Sequence, residues 1–279
     1  MDRPGIYRVA RAGLRHSRAP PRGAALSFGG VQVSTSRLAK PLGHRAYGHI
    51  GHLPGSRMGP GDHQVALGQA RICLERPRDR HDRILVSEKL DGSNCAVAKL
   101  AGEVIPLVRA GYPARSSRFR QHHWFADWVA EHAGRFDAVL AEGERLVGEW
   151  LAQAHGTRYA LPHEPFVVFD LMTGHTRLPY DAFRARVAGR FIVPRLLHDG
   201  GARGLEQVQA GLAHGSGHGA RDPVEGAVWR VERRGVVDFL AKWVRPDKVD
   251  GQYLPAISGA APVWNWVPPG APHDGDVLP

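Results

Sequence analysis

The strongest constraint on the fold is a succession of short strand-like segments that begins at Ile84. Residues 84–90 and 95–100 are apolar or alternate in polarity, and the turn-forming residues DGSN lie between them. A second turn at 101–103 leads into a further strand-like segment, 104–111. Short strands joined by tight turns pair as antiparallel neighbours. These residues therefore predict a meander of antiparallel strands.

The chain beyond this meander shows helical and strand-like patterns in turn. Residues 118–136 place Phe125, Trp128, Val129 and His132 at helical spacing, which predicts an amphipathic helix. Further predicted elements are strands at 146–151, 166–172 and 191–197, a helix at 181–187, and a hairpin formed by 226–232 and 236–244. The predicted class is α+β, with mostly antiparallel sheets and flanking helices.

The formal net charge of +10 is concentrated near the N-terminus. Residues 1–40 contain eight basic side chains against one acid, Asp2, so they carry +7 and the remainder carries +3. This segment is rich in Arg, Pro, Gly and Ser without a sustained period, which predicts a flexible basic arm. An Arg-rich, acid-poor leader is also typical of an organelle transit peptide. Residues 47–65 have turn-forming Gly and Pro between short apolar runs, and we expect an ordered loop there.

Lysine is rare in this chain, since 32 of the 37 basic residues are arginines. The five lysines are Lys40, Lys89, Lys99, Lys242 and Lys248. Codon bias is one explanation of the arginine background. The other is chemical: lysine acts as a nucleophile and arginine does not, so each retained lysine is a candidate for chemistry.

Composition argues against several classes of protein. Two cysteines, Cys73 and Cys95, cannot build a disulfide framework or a four-cysteine zinc site, and we expect both in the core. No stretch approaches the roughly 18 uninterrupted apolar residues of a membrane helix, and no apolar signal-peptide region follows the N-terminus. We therefore expect a cytoplasmic protein without a membrane partner. No G-x-x-x-x-G-K-[ST] phosphate loop occurs, which argues against a P-loop enzyme.

The densest chemical signal is the heptapeptide EKLDGSN, Glu88 to Asn94. It places Lys89 at the end of a predicted buried strand, followed by an acid and a glycine turn, which suits the presentation of an amine to a phosphate. Lys89 must lose its proton to attack, and desolvation together with nearby positive charge or a metal ion lowers the pKa of a lysine. Asp91 is placed to orient the amine or a metal-bound water, and Gly92 permits close backbone approach. The alternative interpretation is a surface hairpin with a Lys–Asp pair.

This heptapeptide resembles the K-x-D-G signature of the covalent nucleotidyltransferases, which include RNA ligases, DNA ligases and mRNA-capping enzymes. The RNA-ligase branch often shows E-K-x-D-G-[ST]-N, and residues 88–94 match every fixed position. The resemblance implies that Lys89 becomes covalently linked to AMP. It also assigns four residues to the nucleotide site, namely Glu88, Asp91, Gly92 and Asn94.

Later motifs of the family follow in order along the sequence. Arg109 in VRAGY matches an arginine on the ribose and phosphate side of the nucleotide. Glu149 in LVGEWL matches a glutamate that takes the ribose hydroxyl, and Phe169 in FVVFDLM matches an aromatic that stacks on the purine. The alternative interpretation of Phe169 is a buried strand phenylalanine.

The last two motifs fall in the predicted C-terminal hairpin. Glu225 opens the sequence EGAV, which resembles E-G-x-V and implies a carboxylate that helps hold a divalent metal. Lys242 lies 17 residues later, at hairpin distance, where the family places a lysine. Many relatives carry K-x-K, whereas this chain has Val244 at the second position. Either the second cation is missing or Arg245 replaces it.

The resemblance implies an ATP-dependent RNA ligase that seals RNA 5′-phosphate and 3′-OH ends or nicks through lysyl-AMP and an adenylylated RNA end, as in RNA repair. It implies ATP and Mg²⁺ or Mn²⁺ as cofactors, and an end-healing kinase or phosphatase as a candidate partner. We expect an α+β nucleotidyltransferase (ATP-grasp-like) domain at 41–250, between the arm at 1–40 and a tail at 251–279. Because 37 residues follow Lys242, we expect no C-terminal oligonucleotide-binding barrel.

Two other functions are compatible with these residues. A DNA ligase or end-adenylating enzyme would use the same Lys89 chemistry. A non-catalytic RNA-binding protein would hold phosphates through the basic arm, in a salt-dependent manner, and keep a relic nucleotide pocket. We expect Trp264 and Trp266 in the tail to pack on the domain, with stacking on bases as the alternative. The glycine-histidine run 214–219 is predicted to be a loop before the Glu225 strand.

Overall fold

The computed structural model describes residues 39–271. The predicted basic arm lies outside this range except for positions 39 and 40, and so does the end of the tail, 272–279. The strands of the described range are β1 (Gly51–His52), β2 (Asp82–Lys89), β3 (Ser93–Leu100), β4 (Glu103–Val108), β5 (Glu144–Trp150), β6 (Phe166–Thr173), β7 (Thr176–Arg177), β8 (Leu196–Gly200), β9 (Gly226–Arg233) and β10 (Val236–Val244). Its helices are α1 (Leu67–Leu74), α2 (Arg120–Glu131), α3 (Ala133–Asp137), α4 (Tyr180–Val187), α5 (Leu205–Ala213) and α6 (Pro255–Ser258).

The first sheet has five strands in the order β1-β10-β9-β2-β8. β9 and β10 form the predicted hairpin, whose turn uses positive φ angles at Arg234 and Gly235. β2 pairs antiparallel with β9 and β8, whereas β1 pairs parallel with β10. Trp229, Cys73 and Val208 belong to one buried apolar cluster, which holds α1 and α5 against one face of the sheet. The opposite face of this sheet is available to line a binding site.

The second sheet has the order β4-β3-β5-β6-β7, and every neighbouring pair is antiparallel. α2 lies against it, with the ring of Phe125 at 5.2 Å from Trp150 and 5.0 Å from Phe166. Full burial of a phenylalanine stabilises the folded state by about 1.5–3 kcal/mol. This aromatic core holds β5 and β6 in place, and with them the polar residues that they carry.

The predicted meander is wrong at its first turn, because β2 and β3 lie in different sheets. Residues 90–92 carry the chain across from one sheet to the other. Gly92 passes so close to β5 that a Cβ at this position would lie 2.5 Å from the carbonyl oxygen of Trp150. Local alternation does not distinguish a hairpin turn from such a crossing, since both place turn residues between two strands. The second turn is confirmed by the β3-β4 hairpin.

The α+β class with mostly antiparallel sheets is confirmed, as are the helices α2 and α4. The strand predicted at 191–197 is wrong in its bounds: β8 begins at Leu196, beyond Pro194, which has no N–H to donate to a ladder. Neither sheet of residues 39–271 closes into a barrel. Among the described helices, none is long and apolar enough to cross a membrane.

The tail packs on the second sheet and on the segment that follows β5. The backbone N–H of Ala154 donates to the carbonyl oxygen of Val263 at 2.9 Å. The ring of Trp266 lies 5.4 Å from that of Trp150, and the ring of Trp264 lies 4.3 Å from that of Trp124. Both tail tryptophans therefore contact the domain.

Candidate active site

A pocket lies between the two sheets and is lined by side chains from both. Residues on β2, β9 and β10 alternate between this pocket and the apolar core behind it. The predicted site residues that line the pocket are Glu88, Lys89, Asn94, Arg109, Glu149, Phe169 and Lys242. Two of the three remaining candidates border it through contacts with these residues: Glu225 with Lys89, and Gly92 with Glu149. The third, Asp91, is linked to Glu225 through Lys248. Residues chosen from separate stretches of sequence thus meet in one place.

Lys89 is the last residue of β2, and its Nζ donates to Glu225 Oε2 at 2.5 Å. The register of β2 and β9 places Lys89 opposite Gly226, so the residue before Gly226 is within reach of the amine. Gly226 itself has to be glycine, because a Cβ there would overlap the carbonyl oxygen of Trp243 in β10. The close packing of β9 on β10 therefore explains why a glycine follows the carboxylate that meets Lys89.

A second lysine shares the carboxylate of Glu225. Lys248 Nζ donates to Glu225 Oε1 at 2.6 Å and lies 3.0 Å from Asp91 Oδ1. Asp91 also accepts a hydrogen bond from the backbone N–H of Gly156 at 2.8 Å. Lys89, Glu225, Lys248 and Asp91 thus form a continuous row of alternating charges. No motif had assigned Lys248 to the site, and its only signal in the sequence is that it is one of five lysines.

The row of charges determines the protonation of Lys89. Burial lowers the pKa of Lys89, but three nearby carboxylates, Glu225 first among them, outweigh burial and raise the net pKa. Burial also raises the pKa of Glu225, while Lys89 and Lys248 lower it, and the net pKa is lowered. These carboxylates therefore favour the ammonium form of Lys89, and the lowered pKa expected for attack stays a prediction.

Glu149 and Asn94 face each other across β5 and β3. Glu149 Oε1 accepts a hydrogen bond from the backbone N–H of Gly92 at 3.2 Å. Burial raises the pKa of Glu149 to about 7, although Lys89 opposes the rise. Asn94 Oδ1 is buried and has no hydrogen-bond partner among the described residues. Because an unpaired buried acceptor costs about 1–3 kcal/mol, a ligand hydroxyl or amine that donates to Asn94 would bind favourably.

Phe169 and Arg109 meet residues 47–50 at the other end of the pocket. The ring of Phe169 lies 5.4 Å from that of Tyr47 in an edge-to-face arrangement. Arg109 Nη2 donates to the carbonyl oxygen of Gly48 at 2.9 Å. The segment predicted to be a loop leading into the domain is therefore a wall of the pocket. An aromatic wall beside a guanidinium suits a planar base attached to a phosphate.

Lys242 points into the pocket from β10 and pairs with Asp62 at 3.5 Å. Burial and the charge of Lys89 lower the pKa of Lys242, and Asp62 opposes this. Asp62 Oδ2 also lies 3.0 Å from His52 Nε2, and His52 is the neighbour of Lys242 in the β1–β10 register. The loop between β1 and α1 thus supplies a counter-charge that the sequence analysis did not identify.

Glu88 lines the pocket, but its carboxylate is hydrogen-bonded to the glycine-histidine loop at 214–219. Strand alternation turns it away from the side of β2 that carries Lys89. It accepts hydrogen bonds from Ser216 Oγ and from the backbone N–H of Gly217, the latter at 2.9 Å. Glu88 therefore anchors the glycine-histidine loop in this arrangement.

Arg245, the candidate for the second cation of the K-x-K motif, lies elsewhere. Its guanidinium pairs with Asp247 at 2.6 Å, and it lines a separate cleft with Trp243 and Leu212. Val244 is buried. Neither Val244 nor Arg245 therefore brings a second cation to the site. Lys248 brings one beside the pocket, where its ammonium pairs with Glu225 and Asp91.

The donor set near Lys89 fits a hard divalent cation shared with a ligand. No group of three or more His, Cys, Asp or Glu side chains within residues 39–271 is arranged to hold a metal ion by itself. Mg²⁺ does not need such a group, because it commonly binds through one or two carboxylates together with substrate phosphates. Glu225 and Asp91 supply carboxylate oxygens beside Lys89.

Solved structures similar to this chain include three nucleic-acid ligases. An archaeal ATP-dependent RNA ligase is 21% identical, with 58% of this chain and 42% of that chain covered and a TM-score of 0.37. A putative ATP-dependent DNA ligase from Aquifex aeolicus is 16% identical (71% and 49% covered, TM-score 0.43). A Naegleria gruberi RNA ligase mutant with AMP and Mn is 15% identical (75% and 61% covered, TM-score 0.47). The chain spans less than two thirds of the length of each.

A search of the curated proteins found no match to this chain. The family model described as RNA ligase matches residues 82–244, from the start of β2 to the end of β10 and more than half of the 279 residues. The matched range contains Lys89, Glu149 and Glu225, together with both sheets that form the pocket. On the strength of this match, the chain belongs to the RNA ligase family.

Proposed function

We propose that the protein is an ATP-dependent RNA ligase that joins RNA 5′-phosphate and 3′-OH ends through a lysyl-AMP intermediate on Lys89. The observation that supports the proposal most strongly is the meeting of Lys89, Glu149, Phe169 and Lys242 in one pocket, although they come from separate motifs. The two RNA ligases named among the similar structures are consistent with it.

In the first step, Lys89 Nζ attacks the α-phosphorus of ATP. A P–N bond forms, the bond from the α-phosphorus to the bridging oxygen breaks, and pyrophosphate leaves. Lys89 loses one proton before the attack and a second after the bond has formed. Lys242 lies on the same side of the pocket and offsets negative charge on the phosphates. Mg²⁺ or Mn²⁺, held by Glu225, would offset the negative charge of that carboxylate and so weaken its stabilisation of the Lys89 ammonium.

In the later steps, AMP passes to an RNA 5′-phosphate and a 3′-OH then displaces it. Phe169 would stack on the adenine, and Glu149 would accept a hydrogen bond from the ribose through all steps. The role we propose for this activity is RNA repair in the cytoplasm. RNA ends with a 5′-OH or a 3′-phosphate would first need a kinase or a phosphatase to produce the two end chemistries that the ligase joins.

The test is incubation with α-labelled ATP and Mg²⁺, followed by a denaturing gel. We expect label on the wild-type protein and on Lys99→Ala, a matched control whose lysine lies on β3 and pairs with Asp137 of α3. We expect none on Lys89→Ala. An unlabelled but folded wild-type protein would overturn the proposal. Comparison of nicked RNA with nicked DNA then identifies the substrate, and sealing of DNA alone would overturn the RNA assignment.

A further inference from the structure

Lys248 is buried at the reaction centre although it lies outside the family match at 82–244. Its side chain is 4% exposed. The ammonium lies between two carboxylates, at 2.6 Å from Glu225 and 3.0 Å from Asp91. A third carboxylate, that of the more exposed Asp250, is at 3.7 Å. A buried lysine is retained only where its charge is compensated, and here the compensation comes from two residues of the proposed catalytic site.

The surrounding backbone is shaped to hold this ammonium. The chain turns directly after β10, where the backbone N–H of Lys248 donates to the carbonyl oxygen of Arg245 at 3.3 Å. Gly156 closes over the side chain from the segment after β5. A Cβ on Gly156 would lie 2.8 Å from Asp91 Oδ2 and 2.9 Å from Lys248 Cε, so a larger residue does not fit there without displacing one of them.

The point occupied by the ammonium is also where a divalent cation would be drawn. Oxygen atoms of Asp91 and Glu225 both lie within hydrogen-bond distance of that point, and carboxylate oxygens are the ligands that Mg²⁺ and Mn²⁺ prefer. Two buried carboxylates this close repel each other unless a cation separates them. An ammonium and a metal ion therefore compete for the same pair of side chains.

We propose that Lys248 is a positioning residue that occupies the Asp91–Glu225 pair as a built-in cation and, in the absence of nucleotide, excludes divalent metal from it. This inference rests on the proposed function, because it places Lys248 in the reaction centre of that activity. It also accounts for the valine at position 244, since the second positive charge comes from the turn after β10 instead of from β10 itself.

The experiment measures Mn²⁺ binding to the full chain without nucleotide, by the electron paramagnetic resonance signal of free Mn²⁺. Lys248→Met keeps the length of the side chain and removes its charge, and we expect it to bind Mn²⁺ at least about tenfold more tightly than wild type. Lys99→Met, which removes a lysine from another ion pair, should bind Mn²⁺ as wild type does. Equal affinity in wild type and folded Lys248→Met would overturn the proposal.

A second variant covers the case in which Lys248→Met does not fold. Lys248→Gln retains an N–H donor toward the carboxylates without the charge, and the same gain in Mn²⁺ affinity is expected. If neither variant folds, the wild-type protein provides the measurement: saturating Mn²⁺ should increase labelling of Lys248 by an amine-reactive reagent. Unchanged labelling would overturn the proposal.

These readouts are independent of catalysis. A protein that fails to form lysyl-AMP but shows the Mn²⁺ effect contradicts the proposed function, while the exclusion of metal by Lys248 stands. A protein that forms lysyl-AMP but shows no Mn²⁺ effect contradicts only the role of Lys248.

Discussion

Two buried carboxylates at the candidate site are held in different ways: Asp170, which lines the pocket, and Glu225, which borders it beside Lys89. We call their surroundings the Asp170 end and the Glu225 end. Asp170 accepts hydrogen bonds from Tyr47 Oη at 2.7 Å, from Arg177 Nε at 3.1 Å and from the guanidinium of Arg230. Glu225 instead meets two ammonium groups, those of Lys89 and Lys248.

The difference indicates which of the two carboxylates is held rigidly by its partners. A guanidinium is planar, always charged and offers several donors in a rigid fork, whereas an ammonium is a point charge on a flexible chain that releases its partner more readily. In a chain with 32 arginines and five lysines, three lysines (Lys89, Lys242 and Lys248) lie at the end where phosphate chemistry is proposed. We infer that the Asp170 end is structural and the Glu225 end is reactive.

The largest expected effect on stability comes from Asp170→Ala. The change removes the carboxylate that the buried Arg230 shares with the half-buried Arg177. Breaking a buried ion pair in this way costs about 3–5 kcal/mol. Asp238→Ala is the matched control, because Asp238 is 38% exposed and pairs with Arg78 at the surface; its expected cost is about 0–1 kcal/mol. Urea denaturation measures both. Equal losses in the two variants would contradict the structural assignment of Asp170.

The next effect concerns Glu225→Gln and should appear in activity. Lysyl-AMP formation is expected to fall about 10²–10³-fold, the range seen when one electrostatic stabiliser is removed from an active site. The substitution also removes the charge that raises the pKa of Lys89, so a larger fraction of Lys89 is deprotonated at a given pH. If proton loss from Lys89 alone limited the rate, Glu225→Gln would be faster than wild type at neutral pH. Label incorporation between pH 6 and pH 9 distinguishes these results.

A smaller effect is expected in the pH dependence of stability. Burial raises the pKa of Glu149 to about 7. Between about pH 4.3 and 7 the folded state then binds more protons than the unfolded state, so the free energy of unfolding falls as pH rises through this window. Glu149→Gln removes the titrating group and should be more stable than wild type at pH 8 by about 3–4 kcal/mol relative to their difference at pH 4. Parallel pH profiles for the two proteins would refute this.

The strands that carry the candidate site could be predicted because their signals are local. Alternation around Lys89, Glu149 and Phe169 identified β2, β5 and β6, and the turn before Val236 identified the β9–β10 hairpin. The residues that the motifs identified lie around one pocket. Their roles remain predictions. Helical spacing of Phe125, Trp128 and Val129 identified α2 for the same reason.

The remainder depends on contacts between distant segments. β1 has two residues and therefore no period, yet its parallel pairing with β10 brings His52 beside Lys242. The crossing at Gly92 resembles a hairpin turn in sequence. Lys248 reaches Glu225 only because the chain turns after β10, and Glu88 is drawn to Gly217, 129 residues away. None of these contacts leaves a local pattern that a single sequence displays.

The smallest expected effect distinguishes the contribution of the Phe169 ring from that of the hydrogen bond between Tyr47 and Asp170. Phe169→Leu keeps an apolar side chain but removes the stacking face, which is worth about 0.5–1.5 kcal/mol, so the KM for ATP should rise about 2- to 13-fold with little change in kcat. Tyr47→Phe is the matched control: it keeps the ring that contacts Phe169 and removes the hydrogen bond to Asp170. We expect it to lower stability by about 1 kcal/mol and to leave the KM for ATP unchanged. A rise in KM for Tyr47→Phe alone would show that the hydrogen bond to Asp170 contributes to ATP binding, which would contradict a purely structural role for Asp170.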